Sequence, residues 1–155
     1  MLDMNFEYRK LDPNHQDFRA LVTELNDSLS QITRDSGESS FSSEAFDSDV
    51  DGCVVAYLDA KPVACGVFRY HVEQVCELKR MYSKLPGAGA YLLKLLEAYS
   101  VEKGYRKAIL STRRINVKAV RFYERNGYAE SEAFGKYIGV VQSVCMSKVL
   151  ATSSS

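Results

Sequence analysis

The sequence predicts a single α+β domain, built on a mixed and mostly antiparallel sheet flanked by helices. Three observations carry this. Several short runs, bounded by turn residues, alternate apolar and polar positions or are apolar throughout. Three other stretches place apolar residues at helical spacing. Their order is strand, helix, several strands, helix, strand, helix and two strands, and strand runs punctuated by helices build mixed sheets. At 155 residues the chain can bury one substantial core, so residues 1–150 are expected to form one domain and residues 151–155 a frayed tail.

Residues 5–9 alternate and read as the first strand. Asp12-Pro13-Asn14 signals a turn and a helix start, after which Phe18, Leu21, Val22, Leu25 and Leu29 keep helical spacing. Residues 35–51 hold six acidic residues, many serines and no Lys or Arg, and read as a loop with one short helix around 43–47. Residues 53–58 and 62–70 are strands joined by a hairpin at Asp59-Ala60-Lys61. A further strand spans 75–82. Beyond Gly87-Ala88-Gly89, Leu92, Leu95, Leu96 and Tyr99 share one helix face, and Gly104 ends that helix before a strand at 107–111. Asn116 is a good N-cap for a helix through Ala119, Val120 and Tyr123, ended by Asn126-Gly127. Two last strands are expected near 128–133 and 140–149.

Composition narrows the function classes. No apolar run approaches the ~20 residues that cross a bilayer, and the first residues lack a signal-peptide pattern, so neither membrane nor export is expected. Cys53, Cys65, Cys76 and Cys145 lie among apolar residues without a C-x-x-C pair and read as reduced core residues of a cytoplasmic protein. His15 and His71 are far apart, so no metal is expected. Net charge is zero but uneven: residues 79–125 hold twelve Lys/Arg against three Asp/Glu, a local +9 that the rest of the chain offsets. Those charges interleave with core positions and match no reader motif, which argues against a nucleic-acid partner.

Two segments carry chemistry. Glu77-Leu78-Lys79-Arg80-Met81-Tyr82 puts three charges into four positions of a strand. Strict alternation would set Glu77, Lys79 and Met81 on one face and Leu78, Arg80 and Tyr82 on the other. Charges there need ion pairs or a cleft. Next, Lys84-Leu85-Pro86-Gly87-Ala88-Gly89-Ala90 runs straight into a helix, whose first N–H groups and positive dipole end suit a phosphate. The P-loop run is absent, and Leu92 stands where the dinucleotide fingerprint needs its third glycine.

Residues 77–127 resemble the GNAT superfamily of acetyl-CoA-dependent N-acetyltransferases. The family's Gln/Arg-x-x-Gly-x-Gly/Ala signature is similar to Lys84-x-x-Gly87-x-Gly89, with Lys first. Its N-x-x-A-x-x-F-Y-x-x-x-G-[FY] motif is similar to Asn116-x-x-Ala119-x-x-Phe122-Tyr123-x-x-x-Gly127-Tyr128. Pro86 removes one donor from the loop, and Arg113-Arg114 stand where a glycine is common.

The resemblance implies a GNAT-like fold in which the fourth and fifth strands splay apart and hold the pantetheine arm of acetyl-CoA, the co-substrate. Coenzyme contacts would come from Met81, Tyr82 and Ser83, from the amides of Gly87, Ala88, Gly89 and Ala90, from Lys84 and Arg125 as phosphate cations, and from Asn116 and Tyr123. Glu77 is the candidate general base, with an ion pair to Lys79 as its alternative, and Tyr123 the candidate acid for the departing thiolate. A strand N–H around Met81 would stabilise the oxyanion. The implied acceptor is a primary amine of a small molecule or peptide, and the acidic segment 35–51 favours a cationic one. A non-catalytic acyl-CoA-binding module on the same fold is the alternative, and a homodimer is left open.

Overall fold

The structure, a computed structural model, describes residues 5–33 and 45–150. The expected short helix at 43–47 therefore lies partly outside the described residues, and the expected tail at 151–155 lies wholly outside them. Seven strands form one sheet in the order β1-β2-β3-β4-β5-β7-β6. They are β1 (Glu7–Lys10), β2 (Gly52–Leu58), β3 (Lys61–Val72), β4 (Val75–Ser83), β5 (Lys107–Arg113), β6 (Ala129–Glu130) and β7 (Ser143–Val149). The helices are α1 (Gln16–Thr33), α2 (Ala88–Glu102) and α3 (Val117–Arg125). Every strand pair is antiparallel except β4–β5.

Local chemistry explains the elements. The Asp12 carboxylate accepts from Asn14 N at 2.8 Å, and the His15 ring accepts from Asp17 N at 3.0 Å, starting α1. At the β2–β3 hairpin, Asp59 (φ +52°) and Ala60 (φ +65°) alone make the turn, because two positive φ values match the strand twist. Lys61 is already strand.

The sheet separates two apolar layers. On one face Phe18 and Leu21 of α1 pack on Cys53, Val55, Tyr57, Cys65 and Val67. On the other, Leu92, Leu93 and Leu96 of α2 pack on Val54, Ala64, Phe68 and Leu78. Leu93, rather than the expected Leu95, completes that buried stripe. Each such leucine stabilises the fold by roughly 1.5–3 kcal/mol. Two expected strands are shorter than their sequence pattern. Residues 135–137 form a 3-10 turn, and Val140 N→Tyr137 O and Ser143 N→Val140 O continue the turning, so β7 starts only at Ser143. The segment before it contributes two residues to β6.

Candidate active site

The parallel β4–β5 pairing lasts three residues, Val75↔Lys107, Cys76↔Ala108 and Glu77↔Ile109. Beyond Glu77, β4 continues to Ser83 and β5 to Arg113 without pairing each other, while β5 stays bonded to β7 as far as Arg113↔Ser143. The strands therefore open into a V with Glu77 at its apex. A cavity of about 420 Å³ fills it, walled by residues 77–81 and 110–113, and both Asn116 and Tyr123 of the α3 region reach it. This is the expected splay.

Inside the V, β4 does not alternate as its sequence pattern implies. Cys65 pairs with Tyr82 and Val67 with Lys79, so Arg80 and Met81 together face Gly66 alone. This is a β-bulge, and Arg80 sits at φ +56°, a conformation that costs a non-glycine residue about 1–2 kcal/mol. The extra residue shifts the side chains beyond it. Met81 packs with Leu78 on the α2 layer, and Tyr82 packs on the α1 layer. Arg80 is buried with its Nη1 donating to Asn26 of α1 at 3.3 Å. Glu77, Lys79, Arg80 and Tyr82 thus face α1, and the expected grouping of Met81 with Glu77 and Lys79 is corrected. Strain of this kind gathers at sites where backbone polar groups are re-aimed.

At the far end of β4 the chain turns into α2. Gly87 is its N-cap at φ +85°, left-handed backbone that favours glycine. A Cβ on Gly89 would stand 3.2 Å from Ser83 Cβ and 3.4 Å from the Phe122 ring, so this turn sits between β4 and α3. Of the four expected amides, Ala88 N–H is already used, donating to Leu85 O at 3.2 Å. No backbone acceptor is recorded for Gly89 or Ala90 among the described residues. Lys84 is half exposed, and its ammonium lies 3.1 Å from Glu24 of α1. Glu24 also accepts from the Tyr82 hydroxyl at 3.3 Å. Tyr82 and Lys84 are thus tied to α1. Ser83, Lys84 and Gly87 through Ala90 do not line the cavity itself.

Asn116 caps α3, its Oδ1 accepting from Ala119 N at 3.3 Å. Tyr123 is 8 % exposed, its ring 5.6 Å from Tyr128 and 5.2 Å from Phe122. No hydrogen bond of its hydroxyl is recorded among the described residues, and burial alone pushes the phenol above its ordinary range. Arg125 is exposed on the last turn of α3, away from the cavity wall.

On the α1 side Glu77 and Lys79 form an ion pair of 3.4 Å, their side chains 14 % and 13 % exposed. Burial pulls Lys79 below its ordinary value, Glu77 pulls it back up, and the nearby Lys136 lowers it again. Among the wall residues that sequence reasoning missed are Lys136 and Tyr137. Tyr137 is half buried and pushed up to about 12, first by burial and then by the Glu77 carboxylate. An aromatic beside a lysine in the turn before the last strand was the available signal. Of the acidic segment expected to favour a cationic acceptor, residues 35–44 lie outside the described residues. Asp51 is buried, accepts from Tyr70 N at 2.7 Å and faces Arg69 at 3.8 Å. None of Asp47, Asp49 and Asp51 lines the cavity. Among the described residues no cluster of three His, Cys, Asp or Glu could hold a metal ion.

The arrangement joins a carboxylate, a proton-bearing phenol and a bulged strand at one cavity, with a helix N-terminus at the end of that strand. The sequence model described as Acetyltransferase (GNAT) family matches residues 18–128. No curated protein matches the sequence. Among solved structures, an inferred acyl-CoA N-acyltransferase from Klebsiella pneumoniae superposes with a TM-score of 0.80 at 24% identity, over 94% of this chain and 98% of that one. The PaiA N-acetyltransferase of Thermoplasma acidophilum, solved in complex with coenzyme A, gives 0.70 at 20% identity over 94% and 99%. A GNAT-family acetyltransferase from Staphylococcus aureus gives 0.73 at 13% identity over 95% and 100%.

Proposed function

The chain belongs to the GNAT acetyltransferase family, whose members transfer acyl groups from acyl-CoA, and from that premise we propose that it moves an acetyl group from acetyl-CoA to a primary amine. The observation that carries this reading is the V between β4 and β5, with Glu77 and Tyr123 on the walls of one cavity.

The residues suit the donor substrate. The unclaimed amides at Gly89 and Ala90 and the dipole of α2 favour a pyrophosphate, with Lys84 in the turn before α2 and Arg125 on the exposed end of α3 as the proposed phosphate cations. The V accepts an extended arm along β4, with backbone from Met81 to Ser83 as its partner, and Asn116 adds a polar group on the α3 side.

This chain's residues then divide the proton work. An alkylammonium with a pKa near ~10 must lose a proton before it attacks, and Glu77 takes it, directly or through water. Lys79 orients and offsets that carboxylate. The bulged backbone around Met81 donates to the developing oxyanion. Tyr123, kept protonated by burial, gives its proton to the departing thiolate.

The test is calorimetric and kinetic together. The wild-type protein is expected to bind acetyl-CoA and to release free thiol when amines are added. Gly87→Glu places a carboxylate at the anion site and strains a φ of +85°, and it is expected to abolish coenzyme binding while the fold persists. Undiminished affinity in that variant refutes the placement. Coenzyme binding without thiol release across an amine panel refutes the enzyme and leaves a binding module.

A further inference from the structure

Gly66 stands opposite the bulge of β4, and the side chain it lacks would point to the sheet face that α2 covers. A Cβ on Gly66 would overlap Met81 Sδ, and it would stand 3.0 Å from Leu96 Cδ2 and 3.1 Å from Leu92 Cδ1. The Met81 thioether therefore fills the berth that any other residue at position 66 would need. Gly66 is not among the glycines with positive φ, so this close contact, and not the backbone conformation, calls for glycine here. Leu92 and Leu96, which wall the berth, are fully buried in the core and leave it little room to widen.

The same methionine borders the cavity. With Leu78, Leu110, Ala119 and Tyr123 it makes an apolar corner of the cavity wall, and all of them pack in one core cluster. Leu78, Leu110 and Tyr123 are buried and held by their neighbours, and Ala119 has almost no side chain to move. Met81 is only half-buried, and its chain is unbranched and flexible, so it is the wall residue best able to change place. In the proposed reaction the backbone around Met81 meets the oxyanion and Tyr123 meets the sulfur, which sets the acyl chain against this corner. We propose that Gly66 and Met81 together set the length of the acyl group transferred. The thioether, seated on Gly66 beneath α2, leaves the corner open to an acetyl group and closes the space that a longer chain would need. This deepens the acetyl-transfer reading and rests on it. Filling the berth from Gly66 drives the thioether toward the cavity, its open side, whereas removing the thioether joins the berth to the corner.

The experiment is a calorimetric ladder of acetyl-, propionyl- and butyryl-CoA on the wild type, Gly66→Ala, Met81→Ala and the double variant, with thermal unfolding as the check on folding. Wild type is expected to bind butyryl-CoA at least about tenfold more weakly than acetyl-CoA, the discrimination that an added methylene brings in a closed apolar site. Met81→Ala is expected to bring the two within about threefold of each other. Gly66→Ala is expected to weaken acetyl-CoA itself by about tenfold, and the double variant to recover most of that loss, because no thioether is left to enter the cavity. Equal affinity of the wild type for acetyl- and butyryl-CoA overturns the inference. So does an unchanged ladder in Met81→Ala, or a Gly66→Ala protein that loses stability while binding all three esters as the wild type does. If Gly66→Ala fails to fold, the ladders of the wild type and Met81→Ala decide alone. Calorimetric silence of the folded wild type toward all three esters is a different failure, because it removes the donor reading itself and the inference with it.

Discussion

Replacing Tyr123 by Phe separates chemistry from packing. The ring contributes to the core through contacts of 5.6 Å with Tyr128 and 5.2 Å with Phe122, and Phe keeps both. The hydroxyl lies in a buried residue and has no recorded partner among the described residues, so deleting it breaks no protein hydrogen bond. Stability should therefore stay within about 1 kcal/mol of wild type, which for a chain of this size is about 2–4 °C in Tm. The rate should fall. General-acid catalysis contributes 10²–10⁴-fold when the leaving group needs its proton. A thiolate, with a parent pKa near ~8.5, leaves without one more readily than an amine does. The loss in kcat is accordingly placed at or below the lower limit of that range, about 10- to 100-fold. Steady-state kinetics, acetyl-CoA calorimetry and thermal unfolding on the same two proteins test this. Undiminished kcat removes Tyr123 from the mechanism, and a large drop in Tm assigns its hydroxyl to the fold instead.

Three further outcomes are expected. Glu24→Gln frees Lys84 from a half-exposed ion pair worth about 0–1 kcal/mol, so acetyl-CoA should bind equally or up to about fivefold more tightly by calorimetry; weaker binding contradicts the role given to Lys84. Glu97→Ala strips the acceptor from the Tyr128 hydroxyl (2.8 Å) and from Lys148 (2.9 Å) at a largely buried position, which should cost about 3 kcal/mol in thermal or urea unfolding; a loss under 1 kcal/mol refutes the assignment of that cluster to stability. Burial raises the Cys53 and Cys65 thiols and pushes Cys76 up to about 12. Below the unfolded value of 9.0 both states keep these protons and the contribution is complete. Above it the unfolded chain releases protons that the folded chain retains, so stability should fall as pH rises past about 9, by about 1.4 kcal/mol per pH unit for each such thiol. Urea midpoints that stay flat from pH 8 to 10.5, or rapid alkylation of native protein at pH 8, would contradict that burial.

How much of this was legible in the sequence differs by element, for identifiable reasons. Asn116, the Gly87 turn and the α1 start were readable because each depends on a few adjacent residues, and the structure uses those residues as caps and turns. The final strands were overextended because 128–133 and 140–149 have strand-like composition while hydrogen bonds at Tyr137, Val140 and Ser143 turn the chain between them. The described end of the acidic loop was less legible. Its charge was visible, but Asp51 is spent on Tyr70 and Arg69, partners that only the β2–β3 pairing brings near. The meeting of Lys79 and Lys136 at one cavity was hidden for a similar reason, since they are 57 positions apart along the chain.

The bulge in β4 is the deepest of these gaps, because it changes what one strand can do. A regular strand would send Met81 to the face of Glu77 and Lys79 and leave Leu78 beside Arg80. With Arg80 at φ +56°, Met81 joins Leu78 on the α2 layer while Lys79 and Arg80 both turn toward α1. One strand thereby gives an apolar wall to the α2 side and a charged wall to the α1 side. No alternating pattern can do both within three residues. The strained Arg80 is held by burial and by Asn26, so the cost of the conformation is met by packing against α1, the helix that also lines the cavity with Leu25 and Leu29. The aim of the backbone around Met81 therefore depends on α1 as well as on β4, and a change in α1 at Asn26 should disturb it.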